Sequence, residues 1–281
     1  MALCLALINA GIPFTALHFN HNLRPEAHAE EAWLRKICAA HGVLFYSEVW
    51  STAPSEGSLQ QNARKARYAF FNRASEKLSL GHILIAHTAD DVAETALMRL
   101  FYGSGVQGLR RMAKKTCKGA YKLHRPLLEF TRGDLRAYLT ASKQTWLEDP
   151  SNYKPEFVRV RARYWLNRFP PELTEALLEM AEKCTELERA LQSHLSPYKD
   201  YIIKNQQDWA VINSAVLYLP DYARQRLFQG VFKSLRPGNN LPRTQKQRRL
   251  FGVLQEPQSS HTLGHIHFKR EGQKVIARPV E

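Results

Sequence analysis

Over the first hundred residues, short apolar runs alternate with longer amphipathic segments, and the spacing predicts the elements. ALCLALINAG (Ala2–Gly11) reads as a helix stopped by glycine, and PFTALHFNH (Pro13–His21) as a strand. PEAHAEEAWLRKICAAHG (Pro25–Gly42) has a first-turn proline, early acids, helical apolar spacing and a terminal glycine, the marks of a helix. VLFYSEVW (Val43–Trp50) predicts a strand, and SLQQNARKARYAFFNRASEKL (Ser58–Leu78) a long helix that Ser58 can cap. HILIAH (His82–His87) is again strand, and DDVAETALMRLFYG (Asp90–Gly103) is helix with a glycine stop. Strands separated by helices imply an α/β fold with a parallel, doubly wound sheet covered on both faces. Ligands of such sheets bind outside the carboxyl ends of the strands. A doubly wound domain normally begins with a strand, whereas this chain opens on a helix.

After Gly103 the pattern changes. KLHRPLLEF (Lys122–Phe130) leads into a capped helix, TRGDLRAYLTASK (Thr131–Lys143), followed by WLEDPSN (Trp146–Asn152) and the arginine run FVRVRARYWLNRF (Phe157–Phe169). Pro170-Pro171 marks the expected domain boundary, with domains at 1–169 and 170–281. Beyond it, a long amphipathic helix spans about Glu172 to Leu195, and HTLGHIHFKREGQKVIARP predicts a hairpin turning near Glu271-Gly272. The second domain is therefore expected to be smaller and mainly helical, with a terminal hairpin.

Charge sharpens this picture. The net charge is +14 over 281 residues. Residues 1–100 balance at 9 Lys/Arg against 9 Asp/Glu, whereas residues 101–170 carry 15 against 5. A basic belt beside a neutral domain points to a polyanionic partner, most simply nucleic acid, or else to a solvated basic surface. The four cysteines, Cys4, Cys38, Cys117 and Cys184, form no CxxC pair, so neither a zinc site nor a redox pair is indicated, and a reducing cytoplasm fits. No apolar run has membrane-spanning length, and no signal-peptide pattern opens the chain.

Against that basic background, HTADDVAET (His87–Thr95) concentrates acid directly after a strand. His87 falls at the ligand-binding edge, Asp90 and Asp91 start a helix where carboxylates suit the dipole, and Glu94 shares a face with Asp90. Acids there can hold Mg²⁺ on nucleotide phosphates or deprotonate an amine; the plain alternative is an aspartate N-cap with a helical acid. FYGSGVQGL (Phe101–Leu109) sets three glycines around Ser104, so that Ser104 and Gly105 offer backbone amides to an anion, or simply end a helix. His21 and Arg24 in HFNHNLRPE are phosphate candidates at the same sheet edge. Arg64 and Arg67 lie on one side of their helix, with Tyr68 and Phe71 toward the core. Arg159, Arg161 and Arg163 alternate along the arginine run, and both basic clusters suit RNA phosphates or a solvated face.

In order, NHNLRPEAHAEE, SLQQNARKARYAFF, AHTADDVAETALMRLFYGSGVQGL, RPLLEFTRGDLRAYL and WLEDPSN with its Arg-rich helix occur together. This set resembles the tRNA(Ile)-lysidine synthetase family of the PP-loop ATP pyrophosphatase superfamily, strongly over residues 1–170 and more faintly beyond. The resemblance implies a carbon–nitrogen ligase that uses ATP and Mg²⁺. ATP adenylates the C2 oxygen of the wobble cytidine of an isoleucine tRNA with a CAU anticodon, and the ε-amine of free L-lysine then displaces AMP. It implies that His87, Asp90, Asp91 and Glu94 serve catalysis, with Asp90 or Asp91 as metal ligand, base or ammonium anchor. His21, Arg24, Ser104 and Gly105 would serve the nucleotide, and Arg64, Arg67, Arg159, Arg161 and Arg163 the tRNA. A homodimer would be in keeping with the family. The family's Ser-Gly-Gly-x-Asp-Ser nucleotide loop and the strand before it have no counterpart here: Met1-Ala2-Leu3 resembles the helix start just after that loop. The expectation is weak ATP binding and little activity for these 281 residues alone. The alternatives are a non-catalytic tRNA-binding remnant and another PP-loop tRNA enzyme such as a thiolase, against which the isolated cysteines argue.

Overall fold

The computed structural model describes residues 1–51, 59–148, 158–205, 208–237 and 241–280. Ser58, with its expected capping role, and the Asp149–Phe157 stretch lie outside them. The chain divides into two compact units, Met1–Glu186 and Leu187–Glu281.

In the first unit, the alternating pattern yields α1 (Ala2–Asn9), β1 (Thr15–Asn20), α2 (Ala27–Ala40), β2 (Leu44–Val49), α3 (Leu59–Lys77), β3 (His82–Leu84) and α4 (Ala89–Phe101). There follow α5 (Val106–Leu109), the hairpin β4 (Lys115–Lys118) and β5 (Tyr121–His124), α6 (Arg132–Ala141), α7 (Val158–Leu166) and the first part of α8 (Pro171–His194). The strand expected over His82–His87 ends at Leu84. Ile85 still donates to the His124 carbonyl, but the ladder stops there and the chain turns toward the cap of α4. The sheet forms as two hydrogen-bonded pieces. β1 and β2 pair in parallel, and β3 pairs in parallel with β5, which pairs antiparallel with β4. α3 covers both pieces on one face. Its fully buried Phe70 stacks on Phe19 of β1 and Tyr46 of β2, with centroids 5.3 and 5.9 Å away, and packs in one cluster with Ile83 and Leu123. Phe71 is buried as expected, but Phe70 is the central ring. Between the pieces lies a cavity of about 670 Å³, lined by Thr15–Leu17 of β1, His82–Leu84 of β3 and residues of α1 and α3.

The capped helix predicted at Thr131 is α6. Thr131 accepts from the Asp134 amide and Asp134 returns the bond to the Thr131 amide, a reciprocal capping box. Replacing Thr131 by alanine is expected to cost about 1 kcal/mol in urea unfolding, because the Asp134 amide loses its acceptor and the Asp134 carboxylate loses the hydroxyl that helps hold it.

The contact boundary falls at 186/187 rather than at the prolines because the first part of α8 belongs to the first unit. Leu173, Leu177, Leu178 and Met180 pack with Ala93, Ala96 and Leu166, while Ala181 packs with Val92 and Leu128. Arg111 also reaches Thr185 and Glu182.

In the second unit, the expected hairpin is the middle of a larger sheet. β9 (Ile266–Glu271) and β10 (Lys274–Pro279) join at Gly272, whose φ of +59° suits a two-residue turn. They lie within a five-stranded antiparallel sheet with β6 (Ile202–Asn205), β7 (Ala210–Asn213) and β8 (Ser260–Leu263), in the order β6-β7-β10-β9-β8. α9 (Asp221–Leu235) and α10 (Thr244–Gln255) close its core, where Phe228, Phe232, Phe251 and Phe268 meet edge-on or tilted. This unit holds more strand than the helical pattern foretold, because each strand is only four to six residues long and too short to give a clear alternation. No helix among the described residues is long and apolar enough to cross a membrane.

Candidate functional site

The acidic segment folds into the amino end of α4. Thr88 is the N-cap, and Asp91, three residues on, closes a capping box. Asp91 Oδ2 accepts from the Thr88 amide at 2.9 Å and from its hydroxyl at 3.1 Å, while the Asp91 amide donates to Thr88 Oγ1. The expected aspartate cap is therefore a threonine, with Asp91 supporting it. Burial pushes the Asp91 carboxyl up, but the Thr88 amide and the Arg159 and Arg132 guanidiniums hold it net below the usual range.

Three arginines from other helices converge on these acids. Arg132, at the start of α6, lies 2.7 Å from Glu94 and 3.3 Å from Asp91, and its amide donates to Asp90 Oδ2 at 2.7 Å. Arg163 of α7 donates to Glu94 at 2.8 Å. Arg159 pairs with Glu94 at 3.1 Å as an ion pair without hydrogen-bond alignment, and donates to the Thr95 hydroxyl. Glu94 has about 1% of its side chain exposed. Burial pulls the Arg132 guanidinium down, yet Glu94, Asp91 and Asp90 raise it overall.

This geometry bears on three expectations. Glu94 is enclosed by guanidiniums and faces them as their counter-charge. Arg159 and Arg163 stand one turn apart and fold inward onto the acids, whereas Arg161 faces outward and is exposed. Of the two expected Mg²⁺ ligands, Asp91 has its oxygens engaged by the Thr88 cap and Arg132. Among the described residues, no group of three or more His, Cys, Asp or Glu side chains is placed to hold a metal. Asp90 differs from its neighbours. Its side chain is 31% exposed and lines a cavity of about 400 Å³ with Arg132, Arg136, Glu148, Arg163 and Tyr164.

His87 lies just beyond β3 and lines the larger cavity with Arg67 of α3. Arg125 Nε donates to His87 Nδ1 at 3.3 Å, which leaves the ring proton on Nε2. Burial lowers the His87 pKa to about 4; Asp91 opposes this, and Arg125, Arg159 and Arg67 add to it. The ring is thus a neutral N–H donor at pH 7. Below about pH 6.5 the unfolded chain takes up a proton that the folded ring refuses, so this residue's contribution falls with acidity between 6.5 and about 4. The slope is at most about 1.4 kcal/mol per pH unit, reduced by solvent because the ring is partly open. Urea titrations of the parent and His87→Phe should diverge within that window and run parallel above pH 7. Asp91, with its lowered pKa, acts only at lower pH.

Arg67 is partly buried, and among the described residues it is ion-paired with no acid. Burial and the nearby Arg64 and Arg159 push its guanidinium down. Arg64 instead lies exposed over the Tyr68 ring, 5.0 Å from its centroid.

The four expected nucleotide ligands line neither of these cavities. His21 packs edge-on against Phe19 and Trp50 at the end of β1, and Arg24 pairs with Glu30 at 2.7 Å. Ser104 and Gly105 line neither cavity. The glycine spacing there has a packing cause. Gly103 takes φ +65° as α4 ends, and a Cβ on Gly108 would sit 2.7 Å from Ser104 Cβ. Arg99 donates to the Gly108 carbonyl. Gly108→Ala is expected to cost about 1–3 kcal/mol in thermal or urea unfolding, and Ser104→Gly in the same chain to recover most of it.

Sequence reading missed Arg132 and Arg125. Arg132 directly follows a capping threonine, which was a usable signal. Arg125 is brought to His87 by the β3–β5 pairing, which no local pattern announces.

A family model described as the PP-loop domain matches residues 1–169. Among curated proteins, the tRNA(Ile)-lysidine synthase of Chlamydia pneumoniae is 35% identical over 67% of this chain and 61% of its own length. That of Ruegeria pomeroyi is 31% identical over 91% and 62%, and that of Coxiella burnetii 40% over 61% and 39%. The chain thus spans less than two thirds of each. Among solved structures, the U34-tRNA thiolase NcsA from Methanococcus maripaludis with its [4Fe-4S] cluster aligns over 66% of this chain and 67% of that one. Its TM-score is 0.53 at 16% identity, a likeness of fold.

Proposed function

The chain belongs to the PP-loop family, and from that premise we propose that it acts in ATP-dependent modification of the wobble cytidine of an isoleucine tRNA with a CAU anticodon, joining lysine to C2. The observation that carries this reading is Arg67, a partly buried cation without an acid partner among the described residues, beside a neutral N–H donor, His87, on one cavity. A site offering positive charge and a hydrogen-bond donor but no carboxylate is suited to phosphate oxygens. The sequence likeness to lysidine synthases points the same way.

In this reading ATP supplies a good leaving group in place of the cytidine oxygen. Arg67 holds phosphate charge. His87, its tautomer fixed by Arg125, donates Nε2–H to oxygen on which charge grows. Asp90 keeps a partly exposed carboxylate toward the second cavity and takes the lysine ammonium or its proton, while the guanidiniums there suit the lysine carboxylate. Asp91 and Glu94 hold these groups in place by fixing the cap and the arginines. Magnesium enters only as the counter-ion of ATP. The belt at residues 101–170 bears on the tRNA backbone.

The test is incorporation of radiolabelled lysine into isoleucine tRNA with ATP and Mg²⁺. It is run on this chain and on a chimaera carrying a relative's Ser-Gly-Gly-x-Asp-Ser strand and loop ahead of Met1. Label incorporated by the chimaera supports the ligase. If neither version incorporates label while both bind the tRNA, the chain is a non-catalytic RNA-binding protein and the ligase reading is rejected.

A further inference from the structure

The carboxyl half of α7 and the residues just after it expose three large rings. Tyr164 is 50% exposed, Trp165 48% and Phe169 51%. They form one patch: the Tyr164 and Trp165 centroids lie 6.1 Å apart at 81°, and those of Trp165 and Phe169 6.4 Å apart at 34°. These are not displaced core residues. The core face of α7 is already filled by Ala162 and Leu166, both buried, the latter packed with Ala93 and Ala96 of α4. Clustered exposed aromatics mark an interaction surface.

Charge selects the partner. Val158–Phe169 contains no Asp or Glu, but it holds Arg159, Arg161, Arg163 and Arg168. Arg168 lies over the Tyr164 ring, 4.0 Å from its centroid, and exposed Arg161 is one turn before Trp165. Flat rings interleaved with guanidiniums, on a segment that itself carries no acid, match the alternation of base and phosphate in an unpaired strand. The patch is also continuous with the candidate site, since Tyr164 and Asn167 line the cavity that contains Asp90.

Resting on the tRNA reading above, we propose that the Tyr164–Trp165–Phe169 face of α7 is a stacking platform for the unpaired nucleotides flanking the base that enters the Asp90 cavity. The rings carry the bases, while Arg161 and Arg168 meet the phosphates between them. The platform selects looped over duplex RNA, because paired bases present no free face.

The experiment measures binding of the full chain to a hairpin RNA bearing the CAU anticodon loop and to the same sequence closed into a duplex. Trp165→Ala and Tyr164→Ala are each expected to weaken hairpin binding by about 5- to 150-fold. Duplex binding should stay unchanged, and Trp165→Phe should retain most of the affinity. Thermal unfolding controls for folding. Independently of any variant, 2-aminopurine in the loop should lose fluorescence on binding the unmutated chain, as a stacked base does. If the hairpin binds with unchanged affinity in both alanine variants and without quenching, the platform is overturned while the tRNA reading stands, and the patch serves a protein partner instead. If the unmutated chain binds neither RNA, both are overturned.

Discussion

Replacing Glu94 by alanine is expected to destabilise the first unit by about 3–5 kcal/mol. Its carboxylate is almost wholly enclosed and faces Arg132, Arg159 and Arg163 at 2.7–3.1 Å. Removing it leaves three guanidiniums, partly withdrawn from water, with mutual repulsion in place of a shared counter-charge. It also opens a void between α4 and α7. Glu94→Gln keeps the shape and loses only the charge, so it should cost less than alanine but well over 1 kcal/mol. Added salt should restore little, since the group is buried. Urea unfolding with an unchanged m-value is the measurement. A loss below about 1 kcal/mol for Glu94→Ala would mean that the arginines swing out to water and that the cluster does not bind the helices together.

The largest expected effect on activity is at His87. In the loop-bearing chimaera, His87→Ala should lower lysine incorporation by about 10²–10³-fold, the loss associated with one preorganised donor to a developing oxyanion. The tRNA dissociation constant should not move. The pH profile separates donor from base. A neutral Nε2–H donor with a pKa of about 4 gives no histidine limb between pH 8 and 5, whereas a base of ordinary pKa would lose activity below about 6.5. A limb at 6.5 that disappears in the variant, or a loss under about tenfold, rejects the donor role.

How much of this was legible in the sequence depends on the range of the interaction. α3 and α4 were readable because apolar spacing and the glycine stop are local, and so was the Thr131 cap with its Asp134 partner. β5 was not, because Tyr121–His124 sits in a basic stretch and becomes a strand by pairing with β3. The alternation of Arg159, Arg161 and Arg163 suggested one basic surface. In a helix, positions four apart share a side and the one between them does not, so two of the three turn inward. The concentration of acid at His87–Thr95 suggested catalysis, with an aspartate cap and a helical acid as the plain alternative. The folded chain divides it into a cap at Asp91, a counter-charge at Glu94, an accessible carboxylate at Asp90 and a neutral ring at His87. That division follows from Arg132 and α7, whose approach no window of nine residues contains.

The two separate pieces of the first unit's sheet also bear on how copies of these 281 residues meet. Among the described residues β1 is paired by β2 alone and β3 by β5 alone, and both strands line the cavity between them with an edge row of unpaired amides and carbonyls. Such rows are templates on which one chain can recruit another. Association of these 281 residues through those edges should therefore rise more steeply than linearly with concentration, while the second unit's antiparallel sheet keeps its native far-ultraviolet signature.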